Sequence, residues 1–214
     1  MSTLPPNSAP LPNSALPPTS APLPPMPGSR RASLQRARTV LVTGVAGGTG
    51  TTTVAALLAD AVGGRLSVVV QATDHSGGEL AARLPTLQPA TSRVTVHDAG
   101  AHVGPAAVLA ATPENCLVVV GRASGDGVAD VRSALASIAD APDPTLLARS
   151  VVVLVDRAAG PTPVETRPVR DTGVAGVFVL RADRALGRPG RIDVAALGRP
   201  TITTVSDLLT ALGW

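Results

Sequence analysis

The sequence contains no lysine, since all 18 of its basic residues are arginine. Aromatic residues are almost as scarce: Phe178 and Trp214 are the only two, and there is no tyrosine. This scarcity argues against a nucleic-acid site built on base stacking. The single cysteine, Cys116, excludes an internal disulfide. Its position at the edge of an apolar run predicts a small core residue.

Long apolar runs are also lacking, and none approaches the roughly 18 residues that cross a bilayer. The N-terminus lacks the basic-then-apolar layout of a signal peptide. We therefore expect a cytoplasmic protein, with peripheral attachment to the inner membrane through a partner as an alternative. The formal charge of +3 is uneven, because the first 38 residues hold four arginines and no acid. The remainder has 14 Arg against 15 Asp and Glu and is close to neutral.

Residues 1–38 are predicted to form a disordered tail rich in Pro, Ser and Ala, which ends in a basic linker. Ten of the 21 prolines precede residue 28, and no side chain there is charged. Such a composition cannot bury enough apolar area to fold. A spacer is one interpretation of the tail, and a docking strip for a protein partner is the other. Residues 39–214 are predicted to form one folded domain.

Apolar, β-branched runs alternate with helical segments throughout this domain. The predicted strands are Thr39–Thr43, Leu66–Gln71, Val94–Asp98, Cys116–Val120, Ser150–Val155 and Gly176–Leu180, and the predicted helices are Thr51–Val62, Gly78–Leu84, Gly127–Ala139 and Val205–Leu212. Continuous Val and Leu runs indicate strands covered on both faces. Strands separated by helices indicate an α/β fold with a doubly wound, mostly parallel sheet. Ligands of such sheets bind beyond the carboxyl ends of the strands.

One stretch, Gly44–Thr53, places a glycine-rich turn between a predicted strand and a predicted helix. This order offers backbone N–H groups and a helix N-terminus to a phosphate group. A standard phosphate-binding loop has lysine directly after its last glycine, but here Thr51 follows Gly50. No other lysine exists to replace it. A tight structural turn, with Thr51 or Thr52 as the helix cap, is the alternative interpretation.

The same stretch resembles the deviant phosphate loop of the MinD/ParA family of P-loop ATPases, which reads approximately S/G-x-K-G-G-x-G-K-T-T. The two lysines of that pattern fall on Ala46 and Thr51. The resemblance implies a three-layer, P-loop NTPase-like fold. It also implies a nucleotide-binding set that includes Gly47, Gly48, Gly50, Thr51, Thr52 and Thr53.

Further segments resemble family landmarks in the same order along the chain. Asp74 falls on the aspartate that positions attacking water in the family, and it is the predicted catalytic residue. Asp98 falls on an aspartate that acts through the magnesium shell, so Thr52 and Asp98 are the predicted metal site. Arg157 follows Asp156 where the family usually has Asn-Arg near the base, and it is predicted to bind nucleotide.

The loss of both lysines implies weak or absent binding of ATP and Mg²⁺. It also implies slow or absent hydrolysis, because removing one preorganised donor costs about 2.7–4 kcal/mol of transition-state stabilisation. The leading hypothesis is a pseudo-ATPase that serves as a positioning or regulatory scaffold for a secretion, pilus or division assembly. CpaE/TadZ-like and type VII secretion-associated MinD-like proteins are the contexts that the resemblance suggests. A slow Mg-ATPase is the first alternative.

Partners follow from the same resemblance. Protein partners are expected at the tail or at the domain surface, and a homodimer is one alternative, although Ala46 stands where the family's dimer-bridging lysine would be. Nonspecific DNA association is a further alternative, because five arginines fall within Arg181–Arg199. Asp183 and Asp193 interrupt that run. A salt-sensitive gel shift would support DNA binding.

Overall fold

The computed structural model describes residues 38–66, 70–75, 79–84, 94–141, 143–157 and 163–214. The predicted tail lies outside these ranges except for its last residue, so the division into tail and domain stays a prediction. The described strands are β1 (Arg38–Gly44), β2 (Val70–Asp74), β3 (Val94–Asp98), β4 (Cys116–Arg122), β5 (Val151–Val155) and β6 (Gly176–Leu180). The described helices are α1 (Thr51–Leu66), α2 (Glu79–Arg83), α3 (Val103–Ala110), α4 (Gly125–Ala139), α5 (Arg167–Arg170) and α6 (Arg199–Ala211), with 3₁₀ turns at Leu147–Arg149 and Val194–Ala196.

The six strands form one sheet in the order β2-β3-β1-β4-β5-β6, and every neighbouring pair is parallel. The predicted α/β fold with a doubly wound parallel sheet is therefore confirmed. β1 lies inside the sheet, where Val42 is opposite Asp98 of β3 and Val118 of β4. The loop that follows β1 consequently opens at the carboxyl edge of the sheet, close to its middle.

Both faces of the central strands β1, β4 and β5 are buried, which explains their continuous apolar runs. Successive side chains of a strand point to opposite faces. In β1, Val40 and Val42 belong to the same core cluster as α1 and α6, whereas Leu41 belongs to the cluster on the other face, with α3 and α4. All three side chains are at most 2% exposed. None of the described helices is long and apolar enough to cross a bilayer.

Several element boundaries differ from the sequence prediction, and two short helices, α3 and α5, were not predicted. α1 continues to Leu66, so this residue ends a helix instead of beginning β2, which starts at Val70. The sequence prediction also missed α3, because Gly104-Pro105 reads as a helix breaker. Pro105 is in the first turn of α3, where a missing N–H costs no intrahelical hydrogen bond. For the same reason α6 begins at Arg199 despite its early proline, well before the predicted start.

An arginine ties the connections around β4 and β5 together. The Arg149 guanidinium lies 2.6 Å from a carboxylate oxygen of Asp143. It also donates hydrogen bonds to the backbone carbonyl oxygens of Ala110, Thr112 and Asn115. The hydrogen bond from Arg149, together with those from the side chain and backbone of Thr145, lowers the pKa of Asp143 to about 2.

This pKa predicts how stability responds to acid. Because the folded-state pKa of Asp143 lies below the unfolded value of about 3.9, its stabilising contribution is present above about pH 4 and is lost as the pH falls toward 2. Asp143→Asn should therefore lower the free energy of unfolding at pH 7, by a margin that shrinks in acid. Denaturant titrations from pH 2.5 to 7 measure the margin, with Asp130→Asn on the exposed side of α4 as the charge-matched control. A margin that is the same at every pH would contradict the assignment.

Candidate functional site

The glycine-rich loop is fixed at its start to both neighbouring strands. The backbone N–H of Gly44 donates to the carbonyl of Gly100, after β3, at 2.7 Å, and the Thr43 hydroxyl donates to the same oxygen at 3.2 Å. On the other side, the N–H of Val45 donates to the carbonyl of Val120 in β4 at 3.0 Å. The turn therefore begins from a rigid position in the sheet.

Two threonine side chains fill the base of the loop. The Thr49 hydroxyl donates to the carbonyl of Ala46 at 3.1 Å, and the hydroxyl oxygens of Thr49 and Thr51 are 3.1 Å apart. A methyl group built on Gly44 would lie 2.4 Å from each of these oxygens, so no larger residue fits there without displacement. The Thr51 side chain, in the position of the absent lysine, is only 8% exposed. Any contribution from Thr51 to a phosphate site would therefore come from its backbone N–H.

The outer side of the loop presents unpaired backbone donors. Within the described part of the chain, no hydrogen-bond acceptor is found for the N–H groups of Ala46–Thr53. Gly48 and Gly50 have φ values of +69° and +98°, a left-handed conformation that favours glycine. Ala46, Gly47 and Gly48 are exposed to solvent. This arrangement, followed by the N-terminus of a 16-residue helix, is suited to an anion.

The hydroxyls after the loop have different surroundings. The Thr53 hydroxyl accepts a hydrogen bond from Arg83 at 3.2 Å. Arg83 also donates to the carbonyl oxygens of Leu186, Arg188 and Gly190, and burial lowers its pKa. Thr52 is half-buried, and its hydroxyl has no recorded partner among the described residues.

The two predicted aspartates lie at different distances from the loop. Asp98 is 2% exposed at the end of β3, and its Oδ1 accepts from the N–H of Gly100 at 2.9 Å. Since the Gly100 carbonyl in turn holds Gly44, Asp98 lies in the turn that anchors the loop. Asp74 ends the edge strand β2, and its Oδ2 accepts from the N–H of Leu80 at 2.9 Å, at the start of α2. Asp74 is therefore two strand spacings, roughly 10 Å, from β1.

A cavity of about 570 Å³ opens beside the loop, and its lining includes Gly50, Thr53 and Arg157. This volume lies within the range of small-molecule sites. The structure thus brings the predicted Arg157 into one cavity with the loop. Asp156, also in the lining, is 3.5 Å from the guanidinium of Arg181.

The sequence prediction missed one residue whose side chain lies beside the loop. Arg122 is the last residue of β4, next to β1 in the sheet. A methyl group built on Gly48 would lie 4.0 Å from its Nη2. The side chain is exposed, and no hydrogen bond or ion pair of its guanidinium is found with any described residue. The predicted strand stopped at Val120, two residues short, so Arg122 was not recognised as a strand-end residue.

No protein-family model matches the sequence, and no curated protein matches it significantly. Among solved structures, the chain is similar to a ParA family ATPase from Chlorobium tepidum TLS, with a TM-score of 0.52 at 15% identity, over 68% of this chain and 84% of that one. A nucleotide-binding protein in complex with ADP from Archaeoglobus fulgidus gives a TM-score of 0.46 at 16% identity, over 74% and 86% of the two chains. The second likeness is too distant to support a conclusion. The first confirms the MinD/ParA resemblance at the level of the fold.

The packing at the base of the loop predicts opposite outcomes for two glycines. Gly44→Ala should destabilise the protein by about 1–3 kcal/mol, as overpacking does, because the new methyl overlaps the Thr49 and Thr51 hydroxyls. Gly47→Ala is the matched control: no atom lies within 4 Å of a methyl there, so its effect should be small. Thermal unfolding of both variants measures the difference. Equal stability of the two would contradict the packing described here.

Proposed function

We propose that this chain is a MinD/ParA-like P-loop protein that binds a magnesium nucleotide weakly, hydrolyses it very slowly or not at all, and acts as a scaffold that positions a larger assembly. The observation that carries the proposal is the contrast between the backbone and the side chains of the loop. Its N–H groups have no acceptor among the described residues, while the side chain in the lysine position is directed into the base. The loop has therefore kept the donors that bind phosphate and lost the cation that drives cleavage.

The residues present suit the phosphates of a nucleotide. Backbone N–H groups at a helix N-terminus bind phosphate without a side-chain charge. The cavity that begins at Gly50 and Thr53 has room for the nucleoside, and Arg157 lies in its wall. ATP and ADP are the ligands that the fold suggests.

Magnesium is accommodated by oxygen donors, which it prefers. Thr52 would contribute its hydroxyl, and Asp98 a carboxylate held in the turn beside the loop. The ion would supply charge neutralisation for the phosphates when bound. The hydrogen bond from the N–H of Gly100 holds the Asp98 carboxylate in place, and the first turn of α1 carries Thr52 directly after the loop.

Low turnover is expected because the loop places no charged side chain next to the phosphates. Neither Ala46 nor Thr51 carries a charge, and electrostatic stabilisation is the main source of rate in phosphoryl transfer. Asp74, the proposed water-positioning residue, already accepts a hydrogen bond from the N–H of Leu80. A protein of this kind would respond to nucleotide by changing conformation or partner affinity, which fits a scaffold for secretion, pilus or division machinery.

Calorimetric titration of the full chain with Mg-ATP and Mg-ADP tests the binding step. We expect dissociation constants in the micromolar to millimolar range. Thr52→Ala should raise them only when Mg²⁺ is present, because that variant removes a metal ligand and leaves the amides intact. Ser206→Ala, an exposed hydroxyl loss on α6, is the control. If the unaltered protein binds neither nucleotide, the proposal that it binds a magnesium nucleotide is wrong.

Phosphate release from the same protein tests the scaffold against the slow Mg-ATPase. We expect release at the level of buffer. Turnover above that level that is lost in Asp74→Asn would establish the ATPase instead. Asparagine is the appropriate replacement, since its side-chain oxygen still accepts from Leu80.

A further inference from the structure

The guanidinium of Arg122 places a positive charge beside the loop, which has no charged side chain of its own. Side chains of β4 alternate between the faces of the sheet: Val118 and Val120 pack on the α1 side, and Val119 packs on the other. Arg122 continues the first set, so its side chain projects toward the loop that leads into α1. The 4.0 Å distance from a methyl on Gly48 to Nη2 agrees with this direction.

Two other arginines close to the sheet edge are already engaged, and Arg157 lies in the wall of the neighbouring cavity rather than over Gly48. Arg83 donates to three carbonyls and to Thr53, and Arg181 pairs with Asp156. The guanidinium of Arg122 makes no hydrogen bond or ion pair within the described ranges, and it borders a loop whose N–H groups likewise have no acceptor there. A free guanidinium beside free amides is the arrangement that binds phosphate oxygens, because guanidinium donates two parallel hydrogen bonds to them.

The backbone that carries Arg122 is held tightly. A methyl group built on Gly127 of α4 would lie 2.3 Å from the carbonyl oxygen of Arg122 and 2.8 Å from its Cβ. The N-terminus of α4 is fixed in turn by Ser124, whose hydroxyl accepts from the N–H of Gly127 at 3.2 Å. The close contact between β4 and α4 therefore sets the direction in which Arg122 leaves the sheet.

We propose that Arg122 binds the polyphosphate of the ligand above Gly48 and replaces, from the neighbouring strand, the charge that a loop lysine would supply. This inference rests on the proposed nucleotide site and adds a binding residue to it. Since the charge comes from β4 and not from α1, it reaches the phosphates from a different direction from a lysine at position 51. It therefore supports binding without restoring rapid cleavage.

The test compares affinities for Mg-ATP and for inorganic tripolyphosphate, which lacks the nucleoside, in full-length variants. Arg122→Ala should lower the affinity for both ligands by about tenfold to a hundredfold at low salt. It should also reduce the salt dependence of binding. Arg122→Lys should recover much of the loss. Arg132→Ala, an exposed arginine further along α4, is the charge-matched control and should bind like the unaltered protein.

A second variant separates position from charge. Gly127→Ala keeps the guanidinium but pushes the Arg122 backbone aside, so a folded Gly127→Ala protein should also bind tripolyphosphate less tightly. If Arg122→Ala binds both ligands as tightly as the unaltered protein, or loses no more than Arg132→Ala, the role of Arg122 is refuted while the nucleotide site stands. If the unaltered protein binds neither ligand, the site and Arg122's role in it both fall.

Discussion

Two threonine hydroxyls that lie over Gly44 determine the shape of the loop, and the site depends on that contact. The hydroxyls of Thr49 and Thr51 satisfy each other and the carbonyl of Ala46, which leaves the loop's base filled without a lysine. The left-handed Gly48 and Gly50 then direct the chain into α1. Because polar side chains close the loop from inside, its N–H groups remain available on the outside.

The arginines of this lysine-free chain fall into two groups, according to whether they bind other parts of the chain. Most described arginines near the sheet serve structure. Arg149 joins the ends of α3 and β4, and Arg38 contacts Cys116, the Leu212 carbonyl and the ring of Trp214. A guanidinium can satisfy several carbonyl oxygens at once, so these contacts pin chain ends together. Arg122 differs because it has no such partner in the described part and faces the loop.

The fold was largely predictable, because the buried Val and Leu runs are longer and more regular than any competing signal. The loop's position followed from the same pattern. The sequence could not reveal where the side chains of the loop point. Nothing in residues 48–53 indicates that the Thr51 hydroxyl contacts that of Thr49 at the base of the loop. Arg122 was missed because Gly121 interrupts the apolar run of β4 and made the strand look shorter. Asp74 was singled out from the family resemblance, but its hydrogen bond to Leu80 depends on where α2 begins.

Amide-resolved NMR of the ¹⁵N-labelled protein measures most directly whether bare backbone donors hold phosphate here. Addition of Mg-ATP should shift the N–H resonances of Ala46–Thr53, and those of Gly47, Gly48 and Gly50 the most, while the core of α4 stays unchanged. Resonances of the loop that remain in place during a titration that shifts others would contradict the account. They would show that the turn is only a structural connection between β1 and α1.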